Sequence, residues 1–87
     1  MAGWRFFITE PGEFDLDKLD RQIRARILTK LKWLMDNFEG IIPLPLDHKF
    51  KGFFKLRVGD WRIIYEVKNK EKLITVHYIG RRDDIYK

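Results

Sequence analysis

Lys55, Arg57 and Arg62 bring three cations into a short stretch interrupted by Gly59-Asp60. Gly-Asp between two β-prone runs signals a two-residue hairpin turn. Such a turn pairs Val58 with Trp61, Arg57 with Arg62, Leu56 with Ile63 and Lys55 with Ile64. Side chains alternate between the two faces of a strand. One face therefore collects Phe54, Leu56, Val58, Trp61, Ile63, Tyr65 and Val67, all apolar or aromatic. The other collects Phe53, Lys55, Arg57, Arg62, Ile64 and Glu66. Like charges directly opposite each other destabilise a sheet. A solvated outer face with splayed side chains is one account of the Arg57–Arg62 pair. An anion site is the other. Convergence of three charges favours the anion site, because breaches of local design rules tend to mark function.

The next strand is expected over Leu73–Ile79. Ile74, Val76 and Tyr78 take the apolar side, and Leu73, Thr75, His77 and Ile79 the basic side. A two-residue turn at Asn69-Lys70 places His77 opposite Arg62. Positive charge nearby keeps an imidazole neutral and able to accept a proton. A packed or surface imidazole is the plainer account of a single histidine. Gly80 then lets the chain turn, and Arg81 and Arg82 arrive beside the sheet. Tyr86 follows, with a hydroxyl usable as donor, acceptor or base. Phe53, on the basic face, is the candidate for stacking on a nucleic-acid base. Trp61 and Tyr65 have core parity. His48 carries no signal, and neither histidine has a partner at metal-ligand spacing.

These side chains need a scaffold, and 87 residues allow one domain, spanning residues 1–87. With 45% hydrophobic, 15% aromatic and 36% charged residues the chain is globular rather than disordered. There is no cysteine, hence no disulfide framework and no thiolate metal cage, which fits a reducing compartment such as the cytoplasm. No apolar run is long enough for a membrane span, and the first residues lack a signal-peptide pattern. The net charge of +5 is uneven. Residues 1–48 carry 7 basic and 8 acidic side chains, and residues 49–87 carry 11 and 5. A one-sided basic field suits a polyanionic partner.

Residues 4–9 read as a first strand, interrupted by Pro11 and Gly12. Phe14, Leu16 and Leu19 suggest a short first helix. Asp20 is placed to cap a second. Ile23, Ile27, Leu31, Leu34 and Phe38 recur on one face of that helix, and Gly40 is a plausible C′ residue. Residues 40–52, with Pro43 and Pro45, form an extended linker. The order β-α-α-β-β-β predicts an α+β domain, a small twisted, mainly antiparallel sheet packed on an αα-hairpin.

The run Phe53-Phe54-Lys55-Leu56-Arg57-Val58-Gly59-Asp60-Trp61-Arg62-Ile63-Ile64-Tyr65-Glu66-Val67, followed by Ile79-Gly80-Arg81-Arg82-Asp83-Asp84-Ile85-Tyr86, resembles the RelE/ParE family of toxin–antitoxin toxins. The resemblance covers the whole chain and implies the same small sheet on a helical hairpin. RelE-like members cleave mRNA in the ribosomal A site, and ParE-like members poison DNA gyrase without a nuclease site. Carried over by position, Lys55 matches a sheet lysine, and Arg57 and Arg62 match sheet arginines. Arg82 matches the arginine after the glycine, and Tyr86 the terminal tyrosine. A second sheet lysine of some members falls at Phe53 here, with Lys49 and Lys51 nearby as substitutes for its charge. Many relatives have His where this chain has Arg81.

The RelE-like branch implies an mRNA interferase with Lys55, Arg62, Arg82 and Tyr86 as catalytic residues. Lys49, Lys51, Phe53, Arg57, His77 and Arg81 would then hold RNA. Cleavage by the RNA's own 2′-hydroxyl requires deprotonating it, stabilising a phosphorane and protonating the leaving oxygen. Arginine's planar fork suits the phosphorane, the role given to Arg62 and Arg82. Lys55 and Tyr86 are the candidates for proton transfer, their pKa values lowered by the positive field. Holding by the ribosome supplies orientation. The resemblance further implies a cognate antitoxin as partner, besides the ribosome and mRNA. It implies no cofactor or membrane, and DNA contact only through the toxin–antitoxin complex. The alternatives are a ParE-like gyrase inhibitor and a non-catalytic RNA-binding module.

Overall fold

Thr9 both ends the first strand and starts the first helix. Its hydroxyl accepts a hydrogen bond from the Gly12 N–H (3.3 Å), so the helix begins before the apolar residues that suggested it. In the computed structural model, which describes residues 3–45 and 52–81, strand β1 is Arg5–Ile8 and helix α1 is Glu10–Asp17. Pro11 and Gly12, expected to lie between strand and helix, are inside the first turn. Proline is tolerated there because the early N–H groups have no helical partner. Gly12 is buried. A Cβ at that position would lie 2.9 Å from Ile8 Cγ2 and 3.0 Å from the Val76 carbonyl oxygen. The absent side chain is what lets α1 approach the sheet.

Helix α2 is Arg21–Asn37, capped as expected by the Asp20 carboxylate, which accepts from the Ile23 N–H at 3.0 Å. Ile27, Leu31 and Leu34 are fully buried along it, and Phe38 nearly so. Gly40 is not a left-handed C′ residue. The helix tightens into a 3-10 turn, Phe38–Gly40, closed by the Ile41 N–H on the Phe38 carbonyl (3.1 Å), and Gly40 is not among the positive-φ glycines. The extended linker contains a two-residue strand β2, Leu44–Pro45.

Strands β3 (Phe53–Val58), β4 (Trp61–Lys68) and β5 (Leu73–Arg81) complete a sheet ordered β1-β5-β4-β3-β2. Only β1 with β5 is parallel. Two apolar groups fill the space under the helices. Leu16, Leu19, Ile27 and Leu31 meet Val58, Ile63, Val76 and Ile79. Leu34 and Phe38 meet Tyr65 and Ile74. The Trp4 ring packs on Phe38 and its indole N–H donates to Glu39 Oε1 (2.8 Å). The α+β architecture and helical hairpin are as anticipated, with β2 added.

The β3–β4 register is the one read from the sequence, from Val58–Trp61 through Phe53–Glu66. The β4–β5 register is not. The connection is a four-residue turn, Asn69–Lys72, in which Lys72 takes a left-handed φ of 51° and its N–H meets the Asn69 carbonyl (3.2 Å). Two more turn residues preserve the alternation of faces, but a β-bulge then reverses it. Tyr65 pairs with Val76 and Ile64 with Tyr78, so His77 is the extra residue. Beyond it Ile79 points to the core and is buried, and Tyr78 lies on the outer face, 53% exposed. Both reverse the expected parity. Arg62 pairs with Gly80, not with His77.

Candidate nucleic-acid interface

The outer face of the sheet, turned away from the helices, is organised in cross-strand rows. Arg57, Arg62 and Gly80 form the row nearest the Gly59-Asp60 turn. Lys55, Ile64 and Tyr78 form the next, and Phe53, Glu66 and Thr75 the one beyond, with His77 bulged beside it. Arg57 and Arg62 are thus directly opposite, as the sequence indicates. Gly80, the partner of Arg62 in this row, presents no side chain.

The two arginines differ in setting. Arg57 is exposed. Arg62 is only 5% exposed, and its Nη1 donates to the carbonyls of Trp61 (3.1 Å) and Gly59 (3.3 Å). One nitrogen therefore anchors the side chain over the hairpin turn. A guanidinium has five N–H donors in a fixed plane, so the remaining nitrogens carry donors besides this anchor. The turn that sets the register thus also fixes the cation. Gly59 supports this with φ 61°, a conformation glycine adopts without steric cost.

Lys55 shares the face one row away, half-buried beside Ile64, which is 3% exposed. Phe53 is half-buried and meets the His77 ring edge-on at 5.2 Å between centroids. His77 has a partner, which the sequence did not reveal. Its Nε2 lies 3.1 Å from Glu66 Oε1. Arg81, expected to arrive beside the sheet and hold RNA, is the last residue of β5 and falls on the side opposite that of Arg62. It lies opposite Trp61, with its guanidinium carbon 5.9 Å from the indole ring. Lys49, Lys51, Arg82 and Tyr86 lie outside the described residues.

Helix α1 holds the bulge in place. Thr9 N–H donates to the Val76 carbonyl (2.9 Å), and the Thr9 hydroxyl donates to the His77 carbonyl (3.3 Å). The Asp15 carboxylate accepts from the Ile79 N–H (3.0 Å). These bonds serve the backbone of β5 where β1, which ends at Ile8 opposite Val76, no longer runs beside it. No propensity pattern marks Thr9 and Asp15 as ligands of a strand 64 or 68 residues away. Tyr65 belongs to the core, where burial pushes its hydroxyl up to about 12, so it stays protonated and is no base at neutral pH.

Comparison with known proteins gives the chain a family. Residues 7–86 match the family model described as the ParE toxin of the type II toxin–antitoxin system parDE. No curated protein matches the chain in sequence. The fold is similar to that of the Mycobacterium tuberculosis RelBE2 toxin–antitoxin complex, with a TM-score of 0.81 and 21% identity over 93% of this chain and 100% of that one. It is similar to the isolated E. coli RelE toxin, with a TM-score of 0.72 and 18% identity over 98% and 92%. It is also similar to the E. coli DinJ-YafQ toxin-antitoxin complex, with a TM-score of 0.73 and 18% identity over 99% and 100%. At these identities the structural likeness speaks to the fold. The family match runs through nearly the whole chain, and the chain belongs to the ParE toxin family, within the RelE/ParE superfamily of type II toxin–antitoxin toxins.

Proposed function

We propose that this toxin is a ribosome-dependent endoribonuclease that cuts mRNA in the A site. The observation that carries the proposal is the Arg57–Arg62 pair. Two cations face each other across a hairpin, one of them buried and bonded to the turn. A merely solvated outer face gains nothing from such an arrangement, since opposed like charges cost stability. A phosphate between or above them turns that cost into charge-assisted hydrogen bonding. Arg62 is pre-oriented and so requires little reorganisation as negative charge develops on a phosphorane.

Lys55, one row away, is within the same field and takes a proton-transfer role. Arg82 and Tyr86 are assigned by family position, to the phosphorane and to proton transfer. Holding of the message by the ribosome supplies the alignment that a small open face does not. A cognate antitoxin is the expected partner, since RelBE2 and DinJ-YafQ are toxin–antitoxin complexes. Phe14 and Trp33 are exposed on the helices, with Lys18 and Lys30 ammonium groups 4.2 and 3.8 Å from their ring centroids. Apolar rings rimmed by positive charge suit an amphipathic, acidic segment. Such a toxin works in the cytoplasm and meets DNA only through its antitoxin.

The matching family model is named for ParE, and this favours a second reading, a gyrase poison without a nuclease site. Adding the purified chain to translating ribosomes separates the two. New mRNA 5′ ends support the nuclease, and intact mRNA with trapped gyrase–DNA complexes supports the poison. A non-catalytic RNA-binding module would bind RNA without producing new ends.

A further inference from the structure

The row of Phe53, Glu66 and Thr75, one step before the Lys68–Leu73 pair that adjoins the Asn69–Lys72 turn, holds side chains for which phosphate binding has no use. Phe53 and Glu66 face each other there in register. The bulge delivers His77 beside them, with Nε2 at 3.1 Å from Glu66 Oε1. Tyr78, on the neighbouring row, is half exposed, and its ring lies 6.5 Å from that of His77. The cluster thus has an aromatic surface and a polar edge, and the Glu66 and His77 side chains are 37% and 26% exposed.

Position along the strands decides what this cluster can do. Glu66 is four residues from Arg62, about 13 Å at a strand's rise of roughly 3.3 Å per residue. His77 is three residues from Gly80, the partner of Arg62, or about 10 Å. Proton transfer needs contact at about 2.6–3.2 Å, directly or through one water. His77 therefore does not serve a phosphate held on Arg62. A base one or two nucleotides along an unstacked strand does reach that far.

We infer that Phe53, Glu66, His77 and Tyr78 form a subsite for one unstacked RNA base, and that the Glu66 carboxylate selects guanine there. The inference rests on the RNA-cleaving reading above. Every base has a π-face, so an exposed ring at Tyr78 is a general platform, and Phe53 and His77 extend it. The carboxylate supplies the discrimination. An ionised carboxylate only accepts, so the nitrogen of His77 that faces it must carry the proton. That bond orients Glu66 and leaves lone pairs for a base. Guanine's Watson–Crick edge presents two adjacent donors, N1–H and the N2 amino group. Uracil offers one donor between two carbonyls, and adenine and cytosine each set one amino group beside a ring acceptor.

The test is titration of the isotopically labelled full chain with GMP, AMP, CMP, UMP and inorganic phosphate, followed by NMR. GMP is expected to shift the Glu66, His77 and Tyr78 resonances. It should bind about 10-fold or more tightly than the other nucleotides, the discrimination typical of a good two-point contact. Glu66→Gln should remove most of that advantage and leave inorganic phosphate binding at Arg57 and Arg62 unchanged. Tyr78→Leu should weaken all four nucleotides together. Equal affinities in the wild type, or shifts confined to Arg57 and Arg62, overturn the inference. GMP selectivity at this row in a chain that leaves mRNA intact upholds the subsite and defeats the nuclease reading. Codon-specific cutting unaffected by Glu66→Gln does the reverse.

Discussion

The Thr9 hydroxyl joins the start of α1 to the bulge of β5. It accepts from the Gly12 N–H and donates to the His77 carbonyl, both at 3.3 Å. The same atom thus caps a helix and satisfies a backbone group that the irregular strand exposes. Thr9→Val keeps the shape and loses both bonds. A lost N-cap costs about 1 kcal/mol, and the His77 carbonyl adds to it. Thermal unfolding should move down by about 4–8 °C per kcal/mol in a domain of this size. Thr9→Ser should recover most of the loss. An unchanged melting temperature for the valine variant would show that the bond is immaterial.

Gly12→Ala tests the close approach of α1. On helix propensity alone alanine stabilises by about 1 kcal/mol. Here its Cβ meets Ile8 Cγ2 at 2.9 Å and the Val76 carbonyl at 3.0 Å, and the carbonyl belongs to a strand held on both sides. Overpacking of this kind costs about 1–3 kcal/mol. The prediction is a net loss, read as a lower denaturant midpoint. A gain would mean that helix and sheet separate freely at this point.

Arg57 and Arg62 should respond in opposite directions. Arg57→Leu removes one of two opposed charges from an exposed site and should leave stability unchanged or raise it by a fraction of a kcal/mol. Arg62→Leu removes a buried charged donor bonded to the Gly59 and Trp61 carbonyls, at a cost of about 1.5–3 kcal/mol. Chemical denaturation of the two variants compares them directly. Equal losses would contradict the assignment of Arg62 as the anchored member.

The hairpin at Gly59-Asp60 was legible because a two-residue loop leaves one register, and the apolar parity of its strands agrees with that register. The α2 stripe and the Asp20 cap were legible for the same reason, since local chemistry and packing point one way. The β4–β5 pairing was not. Lys70, Glu71 and Lys72 look like strand or turn equally well, and a left-handed Lys72 leaves no mark in composition. The bulge is fixed by Thr9 and Asp15, remote in sequence, so the parity of Tyr78 and Ile79 was read in reverse. Glu66 was placed on the correct face, but its pairing with His77 depended on that bulge. Gly40 misled because a 3-10 turn satisfied the last carbonyls without a left-handed residue.

Tyr65 links the core to pH. Its folded-state pKa is raised to about 12 by burial, against 10.0 as the ordinary value. The folded chain therefore holds this proton after the unfolded chain has released it. The resulting stability is complete below pH 10 and is lost as the pH rises from about 10 toward 12. Melting temperatures across that range should fall less steeply in Tyr65→Phe than in the wild type. Identical slopes would contradict the burial of this hydroxyl.

The central claim is that the Arg57–Arg62 row is a phosphate site for cutting mRNA. The most direct measurement maps mRNA 5′ ends after the purified chain acts on a translating extract, with ribosome-free RNA as control. The wild type should produce new ends at A-site positions only when ribosomes are present. Arg57→Leu, folded and at least as stable, should reduce them by roughly 10- to 100-fold, as expected for loss of a charged hydrogen bond of about 1.5–3 kcal/mol to the phosphate that the row holds. Intact mRNA at saturating wild-type protein, or cutting undiminished in Arg57→Leu, would contradict the claim.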